Sequence, residues 1–146
     1  MGKYTYSRSN VALNTANDLI TFIAAANRRA RILSIEIQGM GTTGQAMEIV
    51  ASRSTGGTTG GGALTPQRKS SDAPAAAVTA NTTWAAQPTL DTGTPVRLGF
   101  NQNGSIYRWA AIRGDELEFR NAEQISIRPS IGTGNATITV ETEEDF

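Results

Sequence analysis

Ile32-Leu33-Ser34-Ile35-Glu36-Ile37-Gln38 alternates apolar and polar side chains from Leu33 onward. Successive side chains on a strand point to opposite faces, so this run predicts a half-buried strand. Leu33, Ile35 and Ile37 are expected inward, with Ser34, Glu36 and Gln38 outward. Just upstream, Leu19-Ile20-Thr21-Phe22-Ile23-Ala24-Ala25-Ala26 fits either a short helix capped at Asn17 or Asp18, or a second strand. The punctuation Asn27-Arg28-Arg29 favours the strand, because a hairpin turning at Asn27 accounts for both runs together.

Downstream, Gly39-Met40-Gly41-Thr42-Thr43-Gly44 forms a loop and Ala46-Met47-Glu48-Ile49-Val50-Ala51 the next strand. From about residue 52 to 94 the alternation fails, in a stretch carrying Gly60-Gly61-Gly62, Pro66, Pro74 and Pro88. Loops in compact domains seldom run that long, so this stretch is expected to be a projecting arm or a segment ordered by a partner. A strand is expected within it from about Ala77 to Trp84. After Pro95 the pattern returns in Val96-Arg97-Leu98-Gly99-Phe100, Ile106-Tyr107-Arg108-Trp109-Ala110-Ala111-Ile112, Glu116-Leu117-Glu118-Phe119-Arg120, Ile125-Ser126-Ile127-Arg128 and Thr137-Ile138-Thr139-Val140-Glu141. Many short strands at close spacing, with no crossover helix, predict an all-β fold: an antiparallel β-sandwich or jelly roll with a long Gly/Thr/Ala-rich loop or arm. Residues 1–146 are expected to form one such domain, with an N-terminal tail at 1–16 and the inserted arm at about 52–94.

Composition narrows the chemistry. The chain has no His and no Cys, and 13 basic residues balance 13 acidic ones. A nucleophilic Ser or Thr therefore lacks a histidine base, and thiolate chemistry is absent. Neutrality argues against direct nucleic-acid binding, which needs a basic surface to release counterions. No apolar run is long enough to span a bilayer, and Met1-Gly2-Lys3-Tyr4 opens without the apolar region of a secretory signal, so synthesis in the cytoplasm is expected.

Each motif has a plain structural reading. Gly39-x-Gly41-x-x-Gly44 matches a dinucleotide fingerprint, but a half-polar strand precedes it and a strand follows it, where the fingerprint needs a helix. Arg113-Gly114-Asp115 is accounted for by a turn between strands. Glu116 and Glu118 share a strand face and are expected to be a solvated pair rather than a glycosidase dyad. No metal-ligand spacing is present, so no catalytic, cofactor or metal site is assigned.

What remains is surface. Arg28, Arg29 and Arg31 cluster early, and Arg suits interface ion pairs. Trp84 lies in the weakly patterned stretch, where a large ring is either a candidate anchor in a neighbour's pocket or the start of a core strand. Tyr4 and Tyr6 alternate with polar residues, so the tail either adds a strand to an adjacent subunit's edge or frays.

The stretch Ile23-Ala24-Ala25-Ala26-Asn27-Arg28-Arg29-Ala30-Arg31-Ile32-Leu33-Ser34 carries a resemblance. So does Arg108-Trp109-Ala110-Ala111-Ile112-Arg113-Gly114-Asp115-Glu116-Leu117, with the Gly132-Thr133-Gly134-Asn135 turn and the Thr-rich acidic terminal strand. Together they resemble the small jelly-roll proteins of tailed bacteriophages, and among these the capsid decoration (cement) proteins. The likeness covers roughly half the chain and leaves residues 52–94 without a counterpart. It implies a homo-oligomer, a trimer in the usual case, bound to the major capsid protein on the outside of the virion, without cofactor or membrane. A carbohydrate- or receptor-binding module of a tail fibre, and a single jelly-roll major capsid protein, are the alternatives.

Overall fold

The computed structural model describes residues 1–145. In chain order the strands are β1 (Gly2–Leu13), β2 (Ile20–Ile23), β3 (Arg29–Gly39), β4 (Ala46–Thr55), β5 (Thr58–Thr59), β6 (Gln67–Arg68) and β7 (Thr79–Asn81). They continue as β8 (Trp84–Ala86), β9 (Thr89–Leu90), β10 (Val96–Asn101), β11 (Ile106–Ala110), β12 (Leu117–Arg120), β13 (Gln124–Ile131) and β14 (Gly134–Asp145). No helix occurs among the described residues.

The long strands form two facing antiparallel sheets. One runs β11–β3–β14–β1–β6, with β12 also on β3; the other runs β10–β4–β13–β2–β7, with β9 on β4. The pairing is nested: β1 with β14, β2 with β13, β3 with β11 and β12, and β4 with β10. First pairs with last and second with second-last, as when one long antiparallel hairpin is rolled up, which is the jelly-roll arrangement. The all-β sandwich expected from the alternation is the fold.

Between the sheets lie the fully buried Tyr4, Tyr6, Phe22 and Phe119 with Ile20, Ile32, Ile35, Ile37, Ile49, Ile125, Ile127 and Ile138. Tyr6 and Phe22 meet edge to face, ring centroids 5.1 Å apart at 80°. The Tyr4 hydroxyl donates to Pro74 O (2.7 Å) and the Tyr6 hydroxyl to Val78 O (3.3 Å), so both phenols reach polar partners across the core.

Four expectations need correction. Residues 1–16 are not a free tail: β1 lies inside its sheet, with β14 on one side and β6 on the other. Its alternation is that of any core strand, with Tyr4 and Tyr6 inward and Lys3 and Ser7 outward. The run 19–26 does contain a strand, but β2 and β3 belong to different sheets, so Asn27 turns a corner rather than a hairpin. Asn27 adopts φ +59°, a left-handed conformation that Asn tolerates better than most residues. Leu33 does not point inward. Opposite β3 the β14 register slips, Glu141 facing Ser34 and Thr142 facing Ile32, so Leu33 is an extra residue that reverses the phase. Ile32, Ile35 and Ile37 are the buried positions, and Ser34 is buried as well.

The fourth correction concerns residues 52–94. β4 continues to Thr55, and the rest folds back onto the body. β6 extends one sheet beyond β1, β7 extends the other beyond β2, and β5 pairs with β8 in a small third sheet. Strands of two or three residues leave no periodicity to read, which is why the stretch resembles an arm. Its glycines serve close packing: a Cβ on Gly57 would lie 2.8 Å from the Trp84 ring, and its φ of +86° favours glycine independently.

Candidate interaction surface

Three of the six candidate interface residues are internal. Tyr4 and Tyr6 are in the core, and Trp84 is only 9% exposed. The Trp84 indole N–H donates to Thr21 Oγ1 (3.1 Å), so its anchoring pocket belongs to its own chain. The physical cause is the folded-back insertion, which gives the ring the local core that the sequence pattern did not reveal.

The arginines divide. Arg31 pairs with Glu118 (3.6 Å), Glu143 (3.3 Å) and Asp145 (3.1 Å), while Arg29 shares Glu118 (3.4 Å) and Lys3 shares Glu143 (3.8 Å). This lattice spans β1, β3, β12 and β14 on the outer face of one sheet. Surface pairs of this kind contribute about 0–1 kcal/mol each, so they fix side chains in place more than they stabilise the fold. Arg28 is exposed in the corner between β2 and β3. A second chain of charges joins Lys69, Glu141 and Arg108. Glu116 and Glu118 also separate in role: Glu116 accepts the Gly114 N–H (2.8 Å), closing the Arg113-Gly114 turn, whereas Glu118 serves the arginines.

Beneath the insertion, the outer face of the second sheet buries a polar network. Asp18 Oδ2 accepts from Thr21 Oγ1 (2.6 Å) and Ser126 Oγ (2.6 Å), and Asp18 Oδ1 meets Arg128 Nε (2.5 Å). Ser126 also meets Ser54 (2.7 Å), and Arg128 donates to Pro88 O (2.8 Å) on the insertion. A serine hydroxyl against a carboxylate has the outline of a nucleophile and base. Ser126 and the Asp18 side chain are nevertheless fully buried, and Arg128 neutralises the carboxylate. The network therefore holds the insertion down on the sheet and offers no path for a substrate.

Glu144 is the other buried charge. One carboxylate oxygen accepts the N–H groups of Ala77 (2.7 Å) and Val78 (3.3 Å), tying the insertion to β14. Among the described residues the other oxygen has no partner, nor does Thr142 Oγ1 two residues away on the same inward face. Burial pushes the Glu144 carboxyl above the ordinary glutamate range, opposed by those two N–H groups and by the positive Arg28. Burial, with the Glu144 charge added, also raises the Tyr4 and Tyr6 phenols. A carboxyl whose pKa is higher in the folded than in the unfolded state contributes stability that is complete below the unfolded pKa. That contribution is lost as the pH rises through the folded pKa. Glu144→Gln keeps an acceptor for Ala77 and Val78 and removes the titration. Urea melts across a pH series should show the variant without this loss, and more stable than the parent above the window. A variant that keeps the parent's pH dependence would place the titration elsewhere.

Exposed apolar surface gathers on a strand to which the sequence reading gave no interface role. Ile106 is 59% exposed, Tyr107 48% and Ile112 77%, on β11 and the loop that follows it. Trp109 is partly buried against the core. Among the described residues β11 pairs with β3 alone, so no strand is hydrogen-bonded to its other edge. The signal was present in Ile106-Tyr107-Arg108-Trp109-Ala110-Ala111-Ile112, a run apolar on both faces, but it gives no sign of which strand ends a sheet. Among the described residues no cluster of acidic side chains is placed to hold a metal ion.

Compared with known proteins, the chain matches no family model, no curated protein and no solved structure.

Proposed function

We propose that this chain is a structural assembly protein, a jelly-roll decoration protein that binds the outside of a phage head shell and stabilises it without catalysis. The observation that carries the reading is the asymmetry of the sandwich: one side is sealed by the chain's own insertion, while the opposite side presents β11 with Ile106, Tyr107 and Ile112 exposed. Exposed apolar strand edges mark places where proteins pair with something else. The resemblance in the β2–β3 corner and in residues 108–117 supplies the kind of partner, a major capsid protein displayed in many copies. Multiplicity then provides avidity that a single small contact lacks.

The route of attachment differs from the one first expected. Tyr4, Tyr6 and Trp84 are occupied internally, so the tail and arm do not reach for neighbours. Arg31 is saturated by three carboxylates of its own chain. Contact between copies falls instead to the β11 side, which leaves the outer face of the β3–β14 sheet to meet the shell. The outer face of the β3–β14 sheet interleaves both signs of charge, as the ion lattice shows, which suits a protein surface better than a phosphate backbone.

The test is sedimentation with undecorated phage shells. Saturable, stoichiometric co-sedimentation is the expected result; no binding at any ratio would reject the reading. Capture on a glycan array would favour the tail-fibre module instead. Closed particles formed by the purified chain alone would favour a major shell protein.

A further inference from the structure

We infer that β11 is a self-pairing edge, through which two copies of this chain join their sheets. The inference rests on the assembly reading above and names the chain's first partner. Antiparallel ladders alternate residues that bond across the pair with residues that point their N–H and C=O away. Here the phase is fixed at both ends: Gly39 N–H donates to Ser105 O (3.1 Å) and Ala111 N–H to Leu33 O (2.9 Å). With Tyr107 opposite Ile37 and Trp109 opposite Ile35, residues 105, 107, 109 and 111 face β3. Ile106, Arg108 and Ala110 therefore turn their backbone donors and acceptors outward, to an edge where no strand lies.

The neighbouring open edge shows how an edge is protected. β10 ends the other sheet on the same side, but Pro95 precedes it, and it carries the side-chain-less Gly99, while its Arg97 is paired with Glu48 (3.0 Å). Proline and glycine discourage strand pairing. β11 has no Gly or Pro, and its single charge, Arg108, already meets Glu141 (3.4 Å) and Ser34 (3.3 Å).

That charge pattern selects a copy of the chain as the occupant. From Gly104 to Ile112 the only ionisable groups are Arg108, paired within the chain, and the uncharged Tyr107 phenol, so a charged partner finds no counter-charge there. A second β11 meets a neutral strip like itself. The outward-bonding residues restrict the register to even offsets. Setting Arg108 against Arg108 would oppose like charges, which destabilises a cross-strand pair. Setting Arg108 against Ala110 avoids this, brings Trp109 against its own copy and aligns Ile106 with Ile112, the two most exposed aliphatic side chains of the segment. Such a contact is isologous and closes at two copies, in place of the trimer that the resemblance implied.

The experiment is the solution mass of the purified full chain beside two variants. Arg108→Pro removes an outward-pointing donor and leaves the β3 ladder its bonds. Ile106→Lys places a charge on the edge and covers the case in which the proline variant fails to fold. The expected result is twice the 15.4 kDa chain mass for the parent and a single chain mass for the variants. The parent's melting temperature should also fall on dilution, as for any associating fold. A monomeric or trimeric parent, or a dimer that both variants leave intact, overturns the inference. Shell binding is scored separately, so a monomer that still saturates shells rejects the pairing and leaves the assembly reading standing. A dimer that binds no shell does the reverse.

Discussion

Deleting residues 1–13 is expected to abolish folding. β1 sits between β14 and β6, pairing with β14 from Gly2 opposite Glu144 to Leu13 opposite Gly134. Its removal would strip the ladder from one whole edge of β14 and take Tyr4, Tyr6 and Leu13 out of the core. Truncating one large buried aromatic costs about 3–5 kcal/mol. Two of them already approach the roughly 5–15 kcal/mol by which whole domains are stable. The phenols also hold the insertion through Pro74 O and Val78 O, so the loss would spread to residues 74–78. The measurement is a urea melt followed by near-UV circular dichroism. The expected outcome is no cooperative transition; a truncated chain that melts with the parent's midpoint would show that β1 is dispensable.

The same strand shows what the sequence does and does not carry. Alternation in β3, β4, β10, β13 and β14 announces a sandwich, because burying one face of a sheet imposes period two wherever a strand is long. Tyr4-Thr5-Tyr6-Ser7 has that period too, yet a terminal position says nothing about whether a strand pairs at home or abroad. The nested pairing is set by contacts between residues far apart in the chain, from Val96 and Ala51 to Gly2 and Glu144, and no local pattern encodes them. The insertion is hidden for another reason. Its strands are two or three residues long, and what holds them is a polar network and a tryptophan in contact with glycine. Three of the candidate interface residues are likewise inside the fold. Trp84, Tyr4 and Tyr6 are the residues that attract attention in a list of aromatics, but such rings are worth most when buried. Exposure of Ile106 and Ile112 becomes visible only once β11 is known to end its sheet.

Sealing one side and leaving the other open also explains where stability is concentrated. The insertion is held by β6 on β1, β7 on β2, β9 on β4, the Glu144 carboxylate under Ala77 and Val78, and the buried polar cluster under Trp84 and Pro88. The β11 side has no such cover, and association there would complete the protection of the sandwich.

Asp18→Ala should be the most damaging single substitution outside the apolar core. The carboxylate is fully buried and accepts hydrogen bonds from Thr21 and Ser126 while neutralising Arg128. Alanine would leave a largely buried guanidinium without its counter-charge and take the carboxylate acceptor from two hydroxyls, of which Ser126 retains Ser54 (2.7 Å). Breaking a buried ion pair from one side costs about 3–5 kcal/mol. Asp18→Asn keeps an acceptor oxygen but loses the charge, and is expected to cost about 1.5–3 kcal/mol, the range for a hydrogen bond to a charged group. Equilibrium urea melts give both values, and the ordering separates charge from hydrogen bonding. Because the network meets the insertion at Trp84 through Thr21 and at Pro88 through Arg128, the damage should appear first there. Amides of residues 56–95 are expected to exchange faster in Asp18→Ala than those of β3 and β14. An alanine variant within about 0.5 kcal/mol of the parent, the range of neutral surface changes, would show that the cluster does not hold the insertion and that Trp84 packing alone does.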